Sequence, residues 1–599
     1  MRKDAQFAAS LPTEKEIPED TYANERPTSI VFIALGAIAF VLCLLLSVAP
    51  LSRIPDPVIH LQTPLGVQFA QVGAWLPADL GLAADHQASL ASTGYTEFLV
   101  LIALAFAIYG LCALLMRRQA LKTGDHKQWS RTLRLIWSGT IAAGCIYVFT
   151  PAMLSHDILV YASYSRLMAT YHANPYFVSL ATFPQDPFNA LNYWANSTAA
   201  YGPAWLGVCA LPGLVLGPQP LGYVLAFRLF ALAAHLLNTW LVMSILRTCG
   251  RSPRIVTLGT LLYAWNPLVL LESSLGGHND VFMVTFLLAG ILLSIRAEKN
   301  GRLTQPRGYL LPIIAFMMAA LVKFTMLPVV VLFIILLAWR ALQPESLSTT
   351  FSFRKAVVQR WRPALQTVVN ACITSGLVTL ILYGPFWIGH SVQSIQNSFT
   401  SPPSALYAEN SILRALVDWS QAHTLPPASL GYKLMQIFSA RRTWDYINFA
   451  TIAGVIIAGA IYLWYSPTIR TFVLASLATL GALLIVTPWF YSWYITWLVA
   501  LVVVCLPLVH KRIGRSLLAF TLTFSVSAFI TYLFKDGYSP FGTWMGFICL
   551  TTIAPPLFAF LIAFTYKSQV RQPIAQPVQD VKEANTDTNL HLKCLNKLK

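Results

Sequence analysis

Apolar runs of about 17–25 residues recur along this chain, and that is the length an α-helix needs to cross the roughly 30 Å hydrocarbon core of a bilayer. They lie near 29–50, 97–116, 133–154, 221–246, 255–275, 280–296, 309–322, 324–340 and 366–388, then near 448–465, 471–487, 490–509, 515–534 and 542–566. Hydrophobic residues make up 56% of the 599 and charged ones only 11%. Soluble domains carry about 25% charged residues, so no compact soluble fold hides this much apolar surface. The expected fold is all-α: a polytopic transmembrane helical bundle of about 13–15 membrane helices, with large loops on one side. The stretch Pro203 to Gly217 is apolar but short and broken by Pro212 and Gly213, which suits a re-entrant or interfacial piece.

Met1 to Thr28 is polar and mixed in charge and lacks the basic-then-apolar order of a cleaved signal peptide. Residues 1–28 are expected to be a cytoplasmic tail, 29–566 the membrane bundle, and 567–599, rich in Gln, Asn, Pro and charge, a disordered cytoplasmic tail. A formal net charge of +17 raises nucleic acid as a partner, but the charges sit in alternate loops, which marks membrane orientation instead. Lys and Arg collect at 117–134, 247–254, 296–307, 354–362 and 511–515, whereas 51–96 holds only Arg53 and 155–202 only Arg166. The basic loops are therefore expected inside a plasma membrane, with both termini, and the others outside. Seven of the nine cysteines lie in apolar segments and none in a large exterior loop, so no disulfide framework is indicated. No CxxC or HExxH ligand set is present; no metal residue or cofactor is assigned, and divalent-metal dependence stays open.

Polar chemistry gathers in the loops expected outside, and ionisable residues near membrane depth mark function because they are costly there. Directly after the third run come Ser155-His156-Asp157, then Tyr161, Tyr164 and Arg166. Asp157, Tyr161 and Tyr164 are spaced to share one helix face, with Arg166 about half a turn away. Asp157 fits a general base for an acceptor hydroxyl, although on spacing alone an interfacial helix cap is the simpler role. Glu272-Ser-Ser-Leu-Gly276-Gly277-His278-Asn279-Asp280 joins two runs, with Asn279 placed as an N-cap and two glycines that permit close backbone approach. Its helix start suits an anion such as phosphate, although a tight hairpin turn is the simpler role. Lys323 stands between two apolar runs, as a phosphate contact or a snorkelling side chain. Arg228 and His235 share a face within 221–246, for a head group or for a neighbouring carbonyl. Pro488-Trp489-Phe490-Tyr491-Ser492-Trp493-Tyr494 offers aromatic faces for a sugar ring, or forms an interfacial belt.

The order Asp157…Tyr164-Ser-Arg166-Leu…Asn174-Pro175-Tyr176, then Asp186-Pro187, then Tyr201-Gly202-Pro203-Ala-Trp205, resembles the GT-C glycosyltransferases. Within them it is most similar to bacterial mannosyltransferases that use polyprenyl-phosphate sugars. Gly277-His278-Asn279-Asp280, Lys323 and Pro488-Trp489…Trp493-Tyr494 follow in the same order, so the likeness runs from about Leu133 to Ala500. The resemblance implies single-displacement transfer with inversion at the sugar carbon, on the exterior face, from a polyprenyl-phosphate-linked donor to a glycan or glycolipid acceptor. It implies Asp157 as the base. Arg166, His278, Asn279, Asp280, Lys323 and Tyr164 would hold the donor phosphate and sugar, and Tyr201, Trp489, Tyr491, Trp493 and Tyr494 the acceptor or sugar rings. Two positions depart from the pattern: His156 stands where an acid or Ser is common, and Ser165 where Gly often precedes the Arg.

A donor exported on a lipid needs no nucleotide-binding domain, and the chain has neither a GxGxxG nor a P-loop motif. The Pro-containing segment from Ser401 to Tyr432 is a candidate lid. A transporter or flippase of lipid-linked sugars is the main alternative; it calls for charges at midplane and symmetry between halves, whereas the polar clusters here sit toward one side. A surface-polysaccharide polymerase or ligase shares the lipid-linked substrate and differs in needing two lipid-linked partners.

Overall fold

Proline and small polar residues set where the helices start. A computed structural model of the chain describes residues 29–53, 63–77, 86–118, 126–343, 353–400, 408–422, 425–534 and 552–566. The helices of most consequence are α1 (Ser29–Leu46), α2 (His86–Arg118), α3 (His126–Phe149), α4 (Asp157–Ala169), α5 (Pro203–Gly213) and α6 (Pro220–Thr248). They continue with α7 (Pro253–Ala264), α8 (Pro267–Ser274), α9 (Asp280–Lys299), α10 (Pro306–Val322) and α11 (Leu327–Leu342). The last are α12 (Phe353–Trp387), α13 (Arg441–Tyr465), α14 (Ile469–Val486), α15 (Ile495–Cys505), α16 (Lys511–Ser527) and α17 (Ala554–Thr565). α5, α6, α7, α8 and α10 each begin on proline, whose missing N–H is unneeded in a first helical turn. The described residues contain no β-strand, only an isolated bridge between Glu409 and Trp489. The chain is thus an all-α polytopic bundle.

Among the described residues, ten helices are long and apolar enough to cross a membrane, eleven if the bent pair α7–α8 is one span, and three shorter apolar helices accompany them. The expected 255–275 span is that bent pair, turned by 52° where Pro267 follows Asn266. Asn266 restarts the helix by accepting from the N–H groups of Leu268 and Val269 at 3.1 and 3.2 Å. The expected 490–509 span is built of Ser492–Tyr494, α15 and Leu506–Leu508, the outer two as 3₁₀ turns. α5 has eleven residues, about 16 Å, too short to cross the core. The expected tails 1–28 and 567–599, residues 542–551 of the last expected span, and residues 401–407 and 423–424 of the candidate lid lie outside the described residues.

The bundle through Phe564 is one compact unit. α6 to α9 and α15 form its buried centre, with Trp265 wholly buried, stacked on Phe40 at 5.2 Å and donating its indole N–H to the Ile136 carbonyl. Gly139 makes room for that indole, since a Cβ there would lie 2.8 Å from the ring. α12 and α13 instead expose Leu377, Ile381, Phe449 and Ile457, as bilayer-facing helices do.

Chain direction brings five junctions to one end of the bundle: α3 to α4, the approach to α6, α8 to α9, α10 to α11, and α14 to α15. The basic last turns of α6, α9 and α11, with Arg247, Arg296, Lys299 and Arg340, stand at the other end. α4 stops at Ala169, earlier than the Asn174-Pro175 boundary suggests, and the chain then turns through His172 at φ +49°.

Candidate active site

Asp157 is the first residue of α4, its backbone N–H received by the Ser155 hydroxyl at 3.2 Å. Its carboxylate keeps 20% exposure, while Tyr161, Tyr201 and His278 around it are buried or nearly so. Oδ2 collects three neighbours: the Tyr161 hydroxyl at 3.4 Å, the Tyr201 hydroxyl at 3.3 Å and His278 Nδ1 at 3.5 Å. Tyr161 reaches it because the i, i+4 spacing holds. Tyr201 reaches it because Gly202 lies against the Leu321 carbonyl, where a Cβ would come within 2.0 Å. Burial first, then the Asp157 charge, pushes the Tyr201 hydroxyl well above its ordinary pKa, so it stays a proton donor.

His278 lies in the turn between α8 and α9. Gly277 before it has φ +60°, a conformation glycine adopts without strain, and carries no Cβ to meet Ile158. The imidazole bridges two carboxylates, with Nε2 3.2 Å from Glu272 Oε2 and Nδ1 3.5 Å from Asp157 Oδ2. These are charge contacts; neither has the alignment of a hydrogen bond. The other Glu272 oxygen accepts from the hydroxyls of Ser492 at 2.8 Å and Tyr532 at 2.7 Å. Burial alone disfavours the imidazolium, but Asp157 and Glu272 outweigh it and raise the His278 pKa to about 9. The raised value lies above the ordinary His value near 6.5 of an unfolded chain, so this stability is fully present below about pH 6.5 and is lost as pH rises through about 9. The thermal midpoint of the purified protein should therefore fall between about pH 6.5 and pH 9.5, and His278→Asn should flatten that slope. An equal slope in the variant would show that other groups govern it.

Asp280, two residues on, opens α9 and is buried. Its Oδ1 accepts from Lys323 Nζ at 2.9 Å and from the Trp497 indole at 2.6 Å. Lys323 also lies 3.8 Å from the centre of the Tyr494 ring, so ion pair and cation–π contact hold one ammonium. An aromatic ladder runs from this centre, His278 on Trp493 at 3.9 Å and Trp493 on Tyr491 at 4.3 Å. Trp489 follows, 5.7 Å from Tyr491 and 6.0 Å from Trp194. Beside Trp489 two backbone hydrogen bonds, Glu409 N–H to Pro488 O and Phe490 N–H to Glu409 O, both 2.9 Å, fasten the 408–422 segment to the ladder.

Asp157, Tyr201, His278, Asp280, Lys323, Trp493 and Tyr494 thus stand together. Tyr164 is buried with its ring 6.4 Å from that of Tyr201. Asn279 precedes α9 as an N-cap would, but its side chain makes no capping hydrogen bond. Arg166 faces away, in a buried ion pair with Asp186, which also accepts from the Tyr171 hydroxyl at 2.9 Å. Arg228 hydrogen-bonds carbonyls: Val148, Thr150, Ala152 and Leu275, at 3.2, 2.5, 2.6 and 2.9 Å. His235 lies 3.2 Å from the Ala264 carbonyl. Glu272 as partner of His278, Trp497, Tyr532 and Trp194 went unread in the sequence. Among the described residues, no group of three or more His, Cys, Asp or Glu is arranged to hold a metal ion.

Residues 65–341 match the MptA_B family, described as alpha-(1->6)-mannopyranosyltransferase, N-terminal domain. A probable alpha-(1->6)-mannopyranosyltransferase of Mycolicibacterium smegmatis is 26% identical over 287 residues, 47% of this chain and 48% of that protein. Alpha-(1->6)-mannopyranosyltransferase B of Corynebacterium glutamicum is 33% identical over 104 residues, 17% of each chain. Alpha-(1->6)-mannopyranosyltransferase A of Mycobacterium tuberculosis is 26% identical over 165 residues, 26% of this chain and 31% of that one. This chain spans about half the length of the first of these relatives, and less of the others. No solved structure matches. The resemblance to GT-C-like mannosyltransferases is borne out by these matches. The matched stretch holds Asp157, Tyr201, Glu272, His278, Asp280 and Lys323, while Trp489, Tyr491 and Trp493 of the ladder lie beyond it.

Proposed function

We propose that the chain is a membrane mannosyltransferase that moves mannose from a polyprenyl-phosphate donor to a hydroxyl of a cell-envelope glycan or glycolipid. The observation that carries this reading is the Asp157 centre, a partly exposed carboxylate among proton donors and aromatic faces, inside the stretch matched to mannosyltransferases. Asp157 takes the proton of the acceptor hydroxyl as its oxygen attacks the anomeric carbon, and the lipid phosphate leaves from the opposite face, so the configuration inverts. The His278 imidazolium, beside Asp157, and the Lys323 ammonium, paired with Asp280, meet the negative charge that grows on the departing phosphate. Trp493 is stacked on both sides, by His278 and Tyr491, so the half-buried Tyr491 and Trp489 at the outer end of the ladder give the pyranose rings a surface to stack on. The relatives' names point to an alpha-(1->6) linkage. The alternation of basic loops along the sequence supports a centre on the outer face of the membrane, with the termini inside, where a lipid carries the sugar and no nucleotide is at hand.

The donor class is tested directly. Membranes holding the protein receive labelled mannose either as polyprenyl-phosphate mannose or as a nucleotide-activated mannose, with an envelope extract as acceptor and endogenous lipid-mannose synthesis blocked. Label from the lipid donor alone is the expected result. Transfer from the nucleotide donor at an equal rate would overturn the lipid-donor reading, and transfer from neither would overturn the enzyme reading.

A further inference from the structure

The end of the bundle away from Asp157 holds a second built feature. A cavity of about 260 Å³ opens between the start of α3 and the α6–α7 junction, lined by Trp129, Leu133, Arg247, Arg251 and Val256 among others. It adjoins, at Ser130, a second cavity of about 420 Å³ lined by Lys127, Arg131 and Arg134. The Asp157 centre follows the far end of α3, a 24-residue helix about 35 Å long, so the two features stand at opposite ends.

Five cations line these cavities, and no carboxylate does among the described residues. Glu298, an acid at the same end, is taken up by Arg340 at 3.6 Å and by the Ile469 N–H at 3.3 Å. Arg251 Nε and Nη2 are both buried and have no hydrogen-bond partner among the described residues. A buried guanidinium with unmet donors is costly unless an anion completes it, and its fork of N–H groups matches phosphate oxygens. Burial pushes the Arg251 pKa down, against an opposing pull from Cys249 and with Arg470 adding repulsion.

We propose that this paired cavity binds the phosphate of an anionic phospholipid headgroup. Its lining is half apolar: Trp129, Leu133 and Val256 meet the glycerol and first acyl carbons while the arginines take the phosphate. On α6, exposed Trp240 lies seven residues before Arg247 on the same helix face, and exposed Leu237 lies ten before it, about a quarter turn round and within about 15 Å along the axis. An acyl chain leaving the headgroup site runs along that stripe. Free phosphate uses the same arginines but makes no use of it.

The full chain, purified in detergent, is to be examined by native mass spectrometry with equimolar phosphatidylglycerol and phosphatidylcholine. Retention of phosphatidylglycerol over phosphatidylcholine is expected. Arg247→Gln with Arg251→Gln should lower phosphatidylglycerol retention roughly 25-fold, about 5-fold per cation, and leave phosphatidylcholine unchanged. Lys127→Gln with Arg131→Gln, both on the exposed side of α3, tests the same cavity if the first pair does not purify as a single species. Arg117→Gln with Arg118→Gln removes equal charge from the end of α2 and should keep wild-type retention. Unchanged retention in the cavity variants, or an equal loss in the α2 control, overturns the site. Displacement of phosphatidylglycerol by millimolar inorganic phosphate overturns the lipid as its occupant.

Discussion

Asp157→Asn is expected to lower mannosyl transfer about 10²–10⁴-fold, the usual cost of removing a well-placed general base. The substitution keeps the shape of the side chain, and the amide oxygen still accepts from the Tyr161 and Tyr201 hydroxyls. What it removes is the capacity to take a proton from the acceptor. It also withdraws one of the two carboxylates beside His278, so the pH at which the imidazole discharges should fall in the variant. The fold should survive, because the Asp157 side chain is 20% exposed and Glu272 still pairs the histidine. Initial rates with labelled lipid-linked mannose, at matched protein level and with equal thermal midpoints, make the comparison. A variant within about 3-fold of wild type would reduce Asp157 to a helix-start residue, since a lost base costs at least roughly 100-fold.

Arg228→Met should destroy the folded bundle or lower its thermal midpoint severely. The guanidinium, wholly inside the protein, gathers the carbonyls of Val148, Thr150 and Ala152 from one segment and Leu275 from another. Methionine fills much of the volume but leaves four buried acceptors unpaired, each costing on the order of 1–3 kcal/mol. Only part of that sum is recovered by sparing the arginine its own desolvation, so a net loss on the order of 4 kcal/mol is expected. Arg228→Lys keeps a charge yet cannot reach both segments with a single ammonium, and should fall between the two. The fraction of monodisperse protein surviving a temperature series measures the effect. A midpoint for Arg228→Met within a few degrees of wild type would mean water replaces the guanidinium, and the tie between the Asp157 approach and the His278 turn would not depend on it.

Much of this molecule was written in local chemistry. Pro203, Pro220, Pro253, Pro267 and Pro306 mark helix starts because proline fits the first turn without losing a hydrogen bond. The length of each apolar run reports its span, and the spacing of Asp157 and Tyr161 reports their shared face. The pairings across the bundle were not legible in this way. Glu272 meets Tyr532, 260 residues away, and Asp280 meets Trp497, 217 residues away, and no periodicity encodes contacts at such separations. Arg166 is the instructive case. The family resemblance implies it as a ligand of the donor phosphate. The helix turns it toward Asp186 instead, and the only hint was that an Asp-Pro pair stands 20 residues downstream. Arg228 was open between a head group and carbonyls, because a sequence does not display which backbone oxygens lack partners.

The clasp between Glu409 and Trp489 is made by main-chain groups on both sides. Its register therefore does not depend on which side chains flank it, and substitutions along 408–422 can accumulate while the Trp489–Tyr491–Trp493 floor stays in place. Changes confined to that ribbon would reshape the surface beside Trp489 and leave the Asp157–His278 geometry as it is.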